Sequence, residues 1–513
     1  MHATLISGDR SLDGEALEQR VLRAAGGLAA WGLLPGEVVA ILMRNDFPIL
    51  EVMLAANRAG ILAVPLNWHA NADEIAFILE DCAARVLVAH SDLFKAVAAG
   101  VPSGCRVLEA APPPEIRQAY RLSDAACTAN PGTVDYEDWL QASAPSTAPP
   151  LPAPASLLYT SGTTGRPKGV RRAGGTPEIA AKFGLRVRAA HGQEIRPIRA
   201  VLTGPLYHSA PLVYALNSLR FGELLVLQPK FDAGGLLDLV ERHRLSHMHV
   251  VPTMFSRLLD LAPERRRAFD TSTLKAVTHG AAMCPRDIKQ AMIDWWGPVI
   301  IEYYAATEIG VIATCTSEEW LSHPGTVGKA PEGVEIAIVD DDEQPVPTGD
   351  KGEIFIRCDV ADLASYHQRP EAMAELRRGE WLTLGDVGHV DADGFLWISD
   401  RKKDMVISGG VNVFPAELEE EALKLPEVRD CVAFGIADRD LGEVLVLAIE
   451  PHAGARIDLE KMRVTLTNRL GRLRGPRRVL SMPVLPREDS GKIARRKLKQ
   501  HYLEGMASSP AAA

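Results

Sequence analysis

The stretch YTSGTTGRPKGV, residues 159–170, decides how the rest of the chain is read. Thr160, Ser161, Thr163 and Thr164 crowd around Gly162 and Gly165, and Lys168 follows. Glycines let backbone N–H groups close on an anion, hydroxyls add donors, and the lysine adds positive charge; together they make a loop for polyphosphate. A Walker loop carries glycine directly before its lysine and Ser or Thr directly after it. Here Pro167 precedes Lys168 and Gly169 follows, which disfavours an ordinary P-loop NTPase and keeps a nucleotide as the expected ligand. The residues leading into the loop, ASLLYT, read as an apolar strand that delivers it.

Working outward, residues 17–34 show helical spacing, VVAILMRN reads as a strand running into a turn, and PILEVMLAANRAGILAVPLN as a helix and a strand. EIAFILEDCAARVLVAH repeats that order, and a second run of the same kind spans residues 201–311. Such alternation predicts an α/β layer architecture with mainly parallel strands. Residues 111–154 are rich in Pro, Ala and Ser and read as irregular linker or surface structure. From 325 to 390 the pattern changes to short β segments with turns, and from 401 onward it reads as a compact α+β domain of ordinary size. The expected division is 1–400 for a large N-terminal domain, made of α/β layers plus a β-rich subdomain, 401–505 for a small mobile α+β domain, and a disordered tail at 506–513.

The 513 residues are 47% hydrophobic and 24% charged, the balance of a globular protein with a sizeable core. A net charge of −10 gives no support to nucleic-acid binding. The seven cysteines are scattered without a C-x-x-C, which suits a reducing cytoplasm and neither a disulfide scaffold nor a structural zinc site. The N-terminus lacks the basic and apolar pattern of a signal peptide, and its longest uncharged stretch is too short to span a bilayer. Nothing in the sequence specifies an oligomeric state.

Three further segments carry chemistry. IEYYAATEIG, residues 301–310, places a Thr-Glu pair after an aromatic and two small residues. Tyr304 can stack on adenine, Thr307 can donate to a phosphate oxygen, and Glu308 can hold Mg²⁺, which prefers one or two carboxylates with phosphate oxygens and water. The second is LTLGDVGHVDADGFLWISDRKKDMVISGGVNVFPAELEE, residues 382–420, and the third is LPREDSGKIARRKL, residues 485–498. With the loop at 159–170, all four resemble, in order and spacing, the motifs of the AMP-forming adenylating enzymes: acyl-CoA synthetases, peptide-synthetase adenylation domains and beetle luciferase. The resemblance is strongest to acyl-CoA synthetases.

The resemblance implies specific roles. Thr160, Ser161, Gly162, Thr163, Thr164, Gly165 and Lys168 would hold the β and γ phosphates of ATP. Gly280, Ala281 and Tyr304 belong with the nucleotide site. Asp386 resembles the aspartate that accepts both ribose hydroxyls, which a carboxylate does well, and Arg401 resembles the arginine that also reaches the ribose. Lys492 resembles the C-terminal lysine at the carboxylate and α-phosphate, where Thr307 would join it. Two half-reactions follow: the acid attacks the α-phosphorus and releases pyrophosphate, then the CoA thiol attacks the acyl-adenylate and AMP leaves. Between them the C-terminal domain would rotate about Lys403, bringing Gly409 and Gly410 to the pantetheine channel. No side-chain nucleophile is required, since positioning and charge stabilisation do the work.

For the acid, PLYHSAP at 205–211 resembles the segment at the acyl pocket, with His208 at a position often occupied by histidine in acyl-CoA synthetases. No Asp or Glu falls within 206–216, which argues against an amino-acid substrate, because a buried ammonium needs a partner. Met254, Phe255, Met283, Ile309 and Ile312 are expected as apolar walls. Ala305 stands where acetate-type members carry a bulky aromatic, so a deeper pocket is expected. That leaves a medium-to-long fatty acid or a bulky aromatic or alicyclic acid, such as a sterol side-chain acid. A carrier protein in trans could replace CoA as acceptor; a fused one would show a serine motif beyond the C-terminal domain. A non-catalytic nucleotide-binding regulator is disfavoured because Lys168, Glu308, Asp386, Arg401 and Lys492 are all present.

Overall fold

The computed structural model describes residues 2–152, 156–160, 167–409, 411–487 and 493–507. Its largest sheet has eight strands, in the order Gly310–Thr316, Ile300–Ala306, Ala276–His279, His247–Val250, Arg199–Leu202, Leu224–Leu227, Thr4–Ser7 and Arg10–Leu12. The six inner strands pair in parallel, and only the two edge pairings are antiparallel. A second, all-parallel sheet runs Leu62–Pro65, Val38–Leu42, Ala84–His90, Arg106–Ala110 and Val134–Asp135. Every residue of Val38–Leu42 is buried, as expected for a central parallel strand covered on both faces. The first strand of the chain therefore sits in the sheet built mainly from residues 199–316, an arrangement that alternation alone does not reveal.

Local chemistry sets the element boundaries. The helix Phe47–Ala59 starts where the Asp46 carboxylate accepts from the Phe47 N–H at 2.7 Å, has proline in its first turn, and stops at Gly60, whose φ of 69° suits glycine. The helix predicted over 17–34 is Gly14–Ala30, capped by Asp13. Residues 111–154 correct the linker expectation: they contain the helices Pro114–Tyr120 and Tyr136–Ala142, and Tyr136, Trp139 and Leu140 are buried. The prolines that suggested a linker include Pro114 at a first helical turn, where a missing N–H costs nothing. Tyr136 also donates to Glu51 at 2.8 Å, tying the segment to the core.

A three-stranded antiparallel sheet, Ala364–Tyr366, Lys168–Arg172 and Ser156–Thr160, carries both ends of the phosphate loop. An antiparallel sheet of Val334–Val339, Gly352–Cys358, Trp381–Val390 and Arg377–Arg378, with Leu396–Arg401 beside Trp381–Val390, forms the β-rich part. After one helical turn, Lys402–Asp404, a separate sheet begins. Its antiparallel strands are Val411–Val413, Val406–Ser408, Gly442–Pro451 and Val428–Asp438; Arg478–Ser481 adds in parallel. Among the described residues no helix is long and apolar enough to cross a membrane.

Candidate functional site

The strands Ser156–Thr160 and Lys168–Arg172 form a hairpin in which Thr160 faces Lys168. Thr160 and Lys168 thus hold the two ends of the loop; Ser161, Gly162, Thr163, Thr164 and Gly165 lie outside the described residues. The Lys168 ammonium stands 5.4 Å from the centre of the Tyr366 ring. The Tyr366 hydroxyl donates to Glu308 Oε1 at 2.8 Å. One tyrosine therefore connects the phosphate-loop lysine to the expected metal carboxylate. Sequence reading missed Tyr366, which precedes His367 in a segment with no periodic signal; its place follows from pairing opposite Val170.

Thr307 and Glu308 occupy the turn between the antiparallel strands Ile300–Ala306 and Gly310–Thr316, both half-buried. A tight turn at a strand end presents side chains to one side while the ladder holds its base. Tyr304, three residues earlier, donates its hydroxyl to Asp386 Oδ2. Burial and the Asp386 charge both push the Tyr304 hydroxyl pKa upward, so it stays a donor. Arg401 Nε donates to the other oxygen, Asp386 Oδ1, at 3.0 Å. Asp386 and Arg401 are direct partners across the strand pair, with Asp386 buried and the arginine side chain half exposed. Both carboxylate oxygens are thus engaged, which fixes the carboxylate plane.

Gly280 follows the strand Ala276–His279, where a Cβ would come within 2.8 Å of the Tyr303 ring and carbonyl. Ala281 takes a left-handed φ of 70°, unusual for a residue with a side chain. Lys403 sits inside the turn Lys402–Asp404, between two anchored neighbours. Lys402 bonds Glu353 at 2.9 Å, in the β-rich sheet, and Asp404 pairs with Arg495 at 3.2 Å, in the C-terminal helix. Gly409 has a φ of 55° and lies against Leu473 and Leu441; Gly410 and Lys492 lie outside the described residues.

The apolar wall residues are not brought together. Met254 and Phe255 belong to one core cluster, with Phe255 fully buried against His279 and Trp296. Ile309 and Ile312 belong to another core cluster beneath the β-rich sheet. Met283 is 54% exposed. Phe255 and Ile312 are fully buried, and helical and strand spacing marks a core face and a pocket wall identically. Ala305 is exposed on its strand, and His208 is half-buried just before the helix Ser209–Phe221, its ring 4.4 Å from that of Tyr207.

Behind Gly280 lies a buried polar cluster that the sequence did not reveal. His191, Tyr214, His249 and Tyr303 bring their rings together at 5.3–5.9 Å. His249 Nε2 and the Tyr303 hydroxyl are 2.7 Å apart. Burial, reinforced by His249, pushes the His191 pKa down to about 3, and burial pushes His249 down to about 4. Beside them Lys289, fully buried, bonds Glu302 at 2.5 Å, and His279 lies 3.7 Å from the same carboxylate.

Comparison with known proteins places this geometry. Residues 2–360 match the family model of the AMP-binding enzyme, and residues 417–492 match that of the AMP-binding enzyme C-terminal domain. A feruloyl-CoA synthase from an Amycolatopsis species is 32% identical over 98% of this chain and 96% of its own length. A 3-[(3aS,4S,7aS)-7a-methyl-1,5-dioxo-octahydro-1H-inden-4-yl]propanoyl:CoA ligase from Mycobacterium tuberculosis is 31% identical over 97% of this chain and 96% of its own. The ATP-bound crystal structure of MatB from Rhodopseudomonas palustris superimposes with a TM-score of 0.83 at 26% identity, over 98% of this chain and 96% of that one. The match over both domains shows that the chain belongs to the AMP-binding enzyme family and is an AMP-forming acid–CoA ligase, an acyl-CoA synthetase that uses ATP, Mg²⁺ and CoA.

Proposed function

We propose that this ligase activates a bulky carboxylic acid, drawn from aromatic or alicyclic acids of the sterol side-chain type or from medium-to-long fatty acids, and that free CoA accepts the acyl group. The ring acids are favoured. Two full-length relatives carry ring acids in their names, feruloyl and a dioxo-octahydroindenyl propanoyl group. The small, exposed Ala305 beside the Thr307–Glu308 turn leaves room for such a body.

The observation that carries the site assignment is the convergence of separate motifs on two shared partners. Tyr304 and Arg401 meet on Asp386, while Glu308 and Lys168 meet on Tyr366. In this reading Asp386 and Arg401 take the ribose, Tyr304 stacks on adenine beside Gly280 and Ala281, and Thr160, Lys168 and the loop between them take the β and γ phosphates. Thr307 and Lys492 stabilise the charge that builds on the α-phosphoryl oxygens, and His208 lies at the acid's carboxylate end. Preorganised donors of this kind act without reorganising during the reaction. Among the described residues no three metal-ligating side chains gather. A single carboxylate, Glu308, suits a Mg²⁺ that arrives with the nucleotide phosphates, where it neutralises phosphate charge.

The domains divide near residue 401 and turn about Lys403, the residue between the two anchored ones. Gly409 and Gly410 then line the path of pantetheine, where a missing Cβ admits a thin chain. The cysteines are all free thiols, which fits a cytoplasmic site of action. The test is acyl-CoA formation with ATP, Mg²⁺ and CoA, followed by mass spectrometry across aromatic, alicyclic and fatty acids. A thioester from a ring acid with equimolar AMP is expected; thioesters from short acids alone would refute the substrate assignment.

A further inference from the structure

Three polar atoms of the buried cluster have no hydrogen-bond partner among the described residues: His191 Nδ1, His249 Nδ1 and the Tyr214 hydroxyl. His191 is 3% exposed, His249 2% and Tyr214 0%. An unpaired polar atom in a protein interior loses its hydration without compensation, and such groups are normally satisfied. Three in one cluster require a reason. Gln193 Oε1 and both ring nitrogens of His279, buried beside them, also lack partners among the described residues, whereas Lys289 is paired with Glu302.

The cluster abuts the candidate active site. Tyr303 directly precedes Tyr304, the partner of Asp386, and its ring lies against Gly280. Ala305 stands two residues further along the strand, about 7 Å at the rise of a β-strand. Ala210 and Val213, on the helix that starts at Ser209, pack against the small apolar group containing Tyr303. The cluster thus lies beside the strand that carries Ala305 and the helix that follows His208.

We propose that His191, Tyr214 and His249 form the polar end of the acid-binding site, and that the acid carries a neutral hydrogen-bonding group, a hydroxyl or ring carbonyl, on the end of a compact ring skeleton away from its carboxylate. The inference rests on the acid-activating role of the site and narrows its substrate. It excludes plain fatty acids, which would leave all three atoms unpaired. A second carboxylate would need a cation, and the buried Lys289 beside the cluster is already paired with Glu302. An ammonium would need a carboxylate; none of His191, Tyr214, His249 and Tyr303 supplies one, and Glu302 beside them is held by Lys289.

The experiment compares matched acids in ATP–pyrophosphate exchange: 4-hydroxycinnamate with cinnamate, 4-oxocyclohexanecarboxylate with cyclohexanecarboxylate, and octanoate as the apolar reference. The substituted member of at least one pair should be preferred about tenfold or more in kcat/KM, as for sites that pair a substrate hydroxyl. Tyr214→Phe should erase much of that preference through the KM of the acid and leave the KM of ATP in place. Because the hydroxyl has no protein partner, the variant should melt at or above the wild-type temperature. Equal or better use of the unsubstituted acids, or a Tyr214→Phe enzyme that melts lower with its preference intact, overturns the proposal. Exchange with no acid at all overturns the acid-activating role along with it.

Discussion

The strand Ile300–Ala306 divides two polar regions that obey opposite rules. On the nucleotide side, Tyr304 and Arg401 occupy both oxygens of Asp386, and Tyr366 bonds Glu308. On the interior side, Tyr303 reaches a cluster in which three buried polar atoms lack partners. Adjacent tyrosines of one strand point to opposite faces and so serve both regions. The first region holds its groups in place before a ligand arrives. The second stores unsatisfied bonding capacity, which an appropriate ligand releases as specificity. Most of the motif residues named from the sequence lie in the first region, while His191, Tyr214 and His249 of the second lie outside the four motifs.

The contrast can be broken from either side, and the largest effect should come from the phosphate side. Lys492→Ala should lower adenylation by about a thousandfold or more, since it removes charge stabilisation needed mainly in the transition state. Thioester formation from supplied acyl-adenylate should survive; equal loss of both half-reactions would show that the lysine does not leave the site between them. Lys403→Pro is its mirror image, because proline restricts the turning dihedral. Pyrophosphate exchange should persist in it while thioester formation falls, and intact thioester formation would move the hinge elsewhere.

Beneath both regions, Lys289→Met should destabilise the fold by about 3–5 kcal/mol, because it leaves the buried Glu302 charge uncompensated. Urea unfolding reads this directly, and a midpoint shift under 1 kcal/mol would mean that the pair is dispensable. Asp386→Asn should raise the KM of ATP about 10- to 100-fold, roughly the worth of one or two charge-assisted hydrogen bonds. An unchanged value would remove Asp386 from the ribose.

The interior region adds an effect of pH. His191 and His249 have folded pKa values of about 3 and about 4, below the roughly 6.5 of an unfolded histidine. Below pH 6.5 the unfolded chain binds protons that the folded one does not, so stability must fall as pH falls. By pH 5 the loss is on the order of 2 kcal/mol for each group. Denaturant midpoints at pH 7 and pH 5 should show the drop in the wild type and a reduced one in His191→Leu; identical drops would assign the effect to other groups.

Much of this was legible in the sequence, and the failures have physical causes. The parallel strands showed as apolar runs, and Thr307 and Glu308 were named as a pair without the turn that presents them. Asp386 and Arg401 were named without their geometry, and the strand register then set them opposite each other. Tyr366 was invisible because its role depends on a strand pairing between residues far apart in sequence. The helix Pro114–Tyr120 was masked by a proline that sits where helices tolerate it. Phe255 and Ile312 were named by their place in the family pattern; the structure sets them in two separate core clusters, and apolar spacing does not say what lies opposite each. His191 and His249 belong to none of the motifs named from the sequence, and only their burial in one cluster sets them apart.

The central claim is acid activation, and acid-dependent ATP–pyrophosphate exchange with Mg²⁺ tests it most directly. Run on the wild-type chain across short, long, aromatic and sterol-type acids, it should show exchange confined to one class, with the ring acids leading and no exchange without acid. Silence across the whole panel, from folded protein that still binds ATP, would contradict the account.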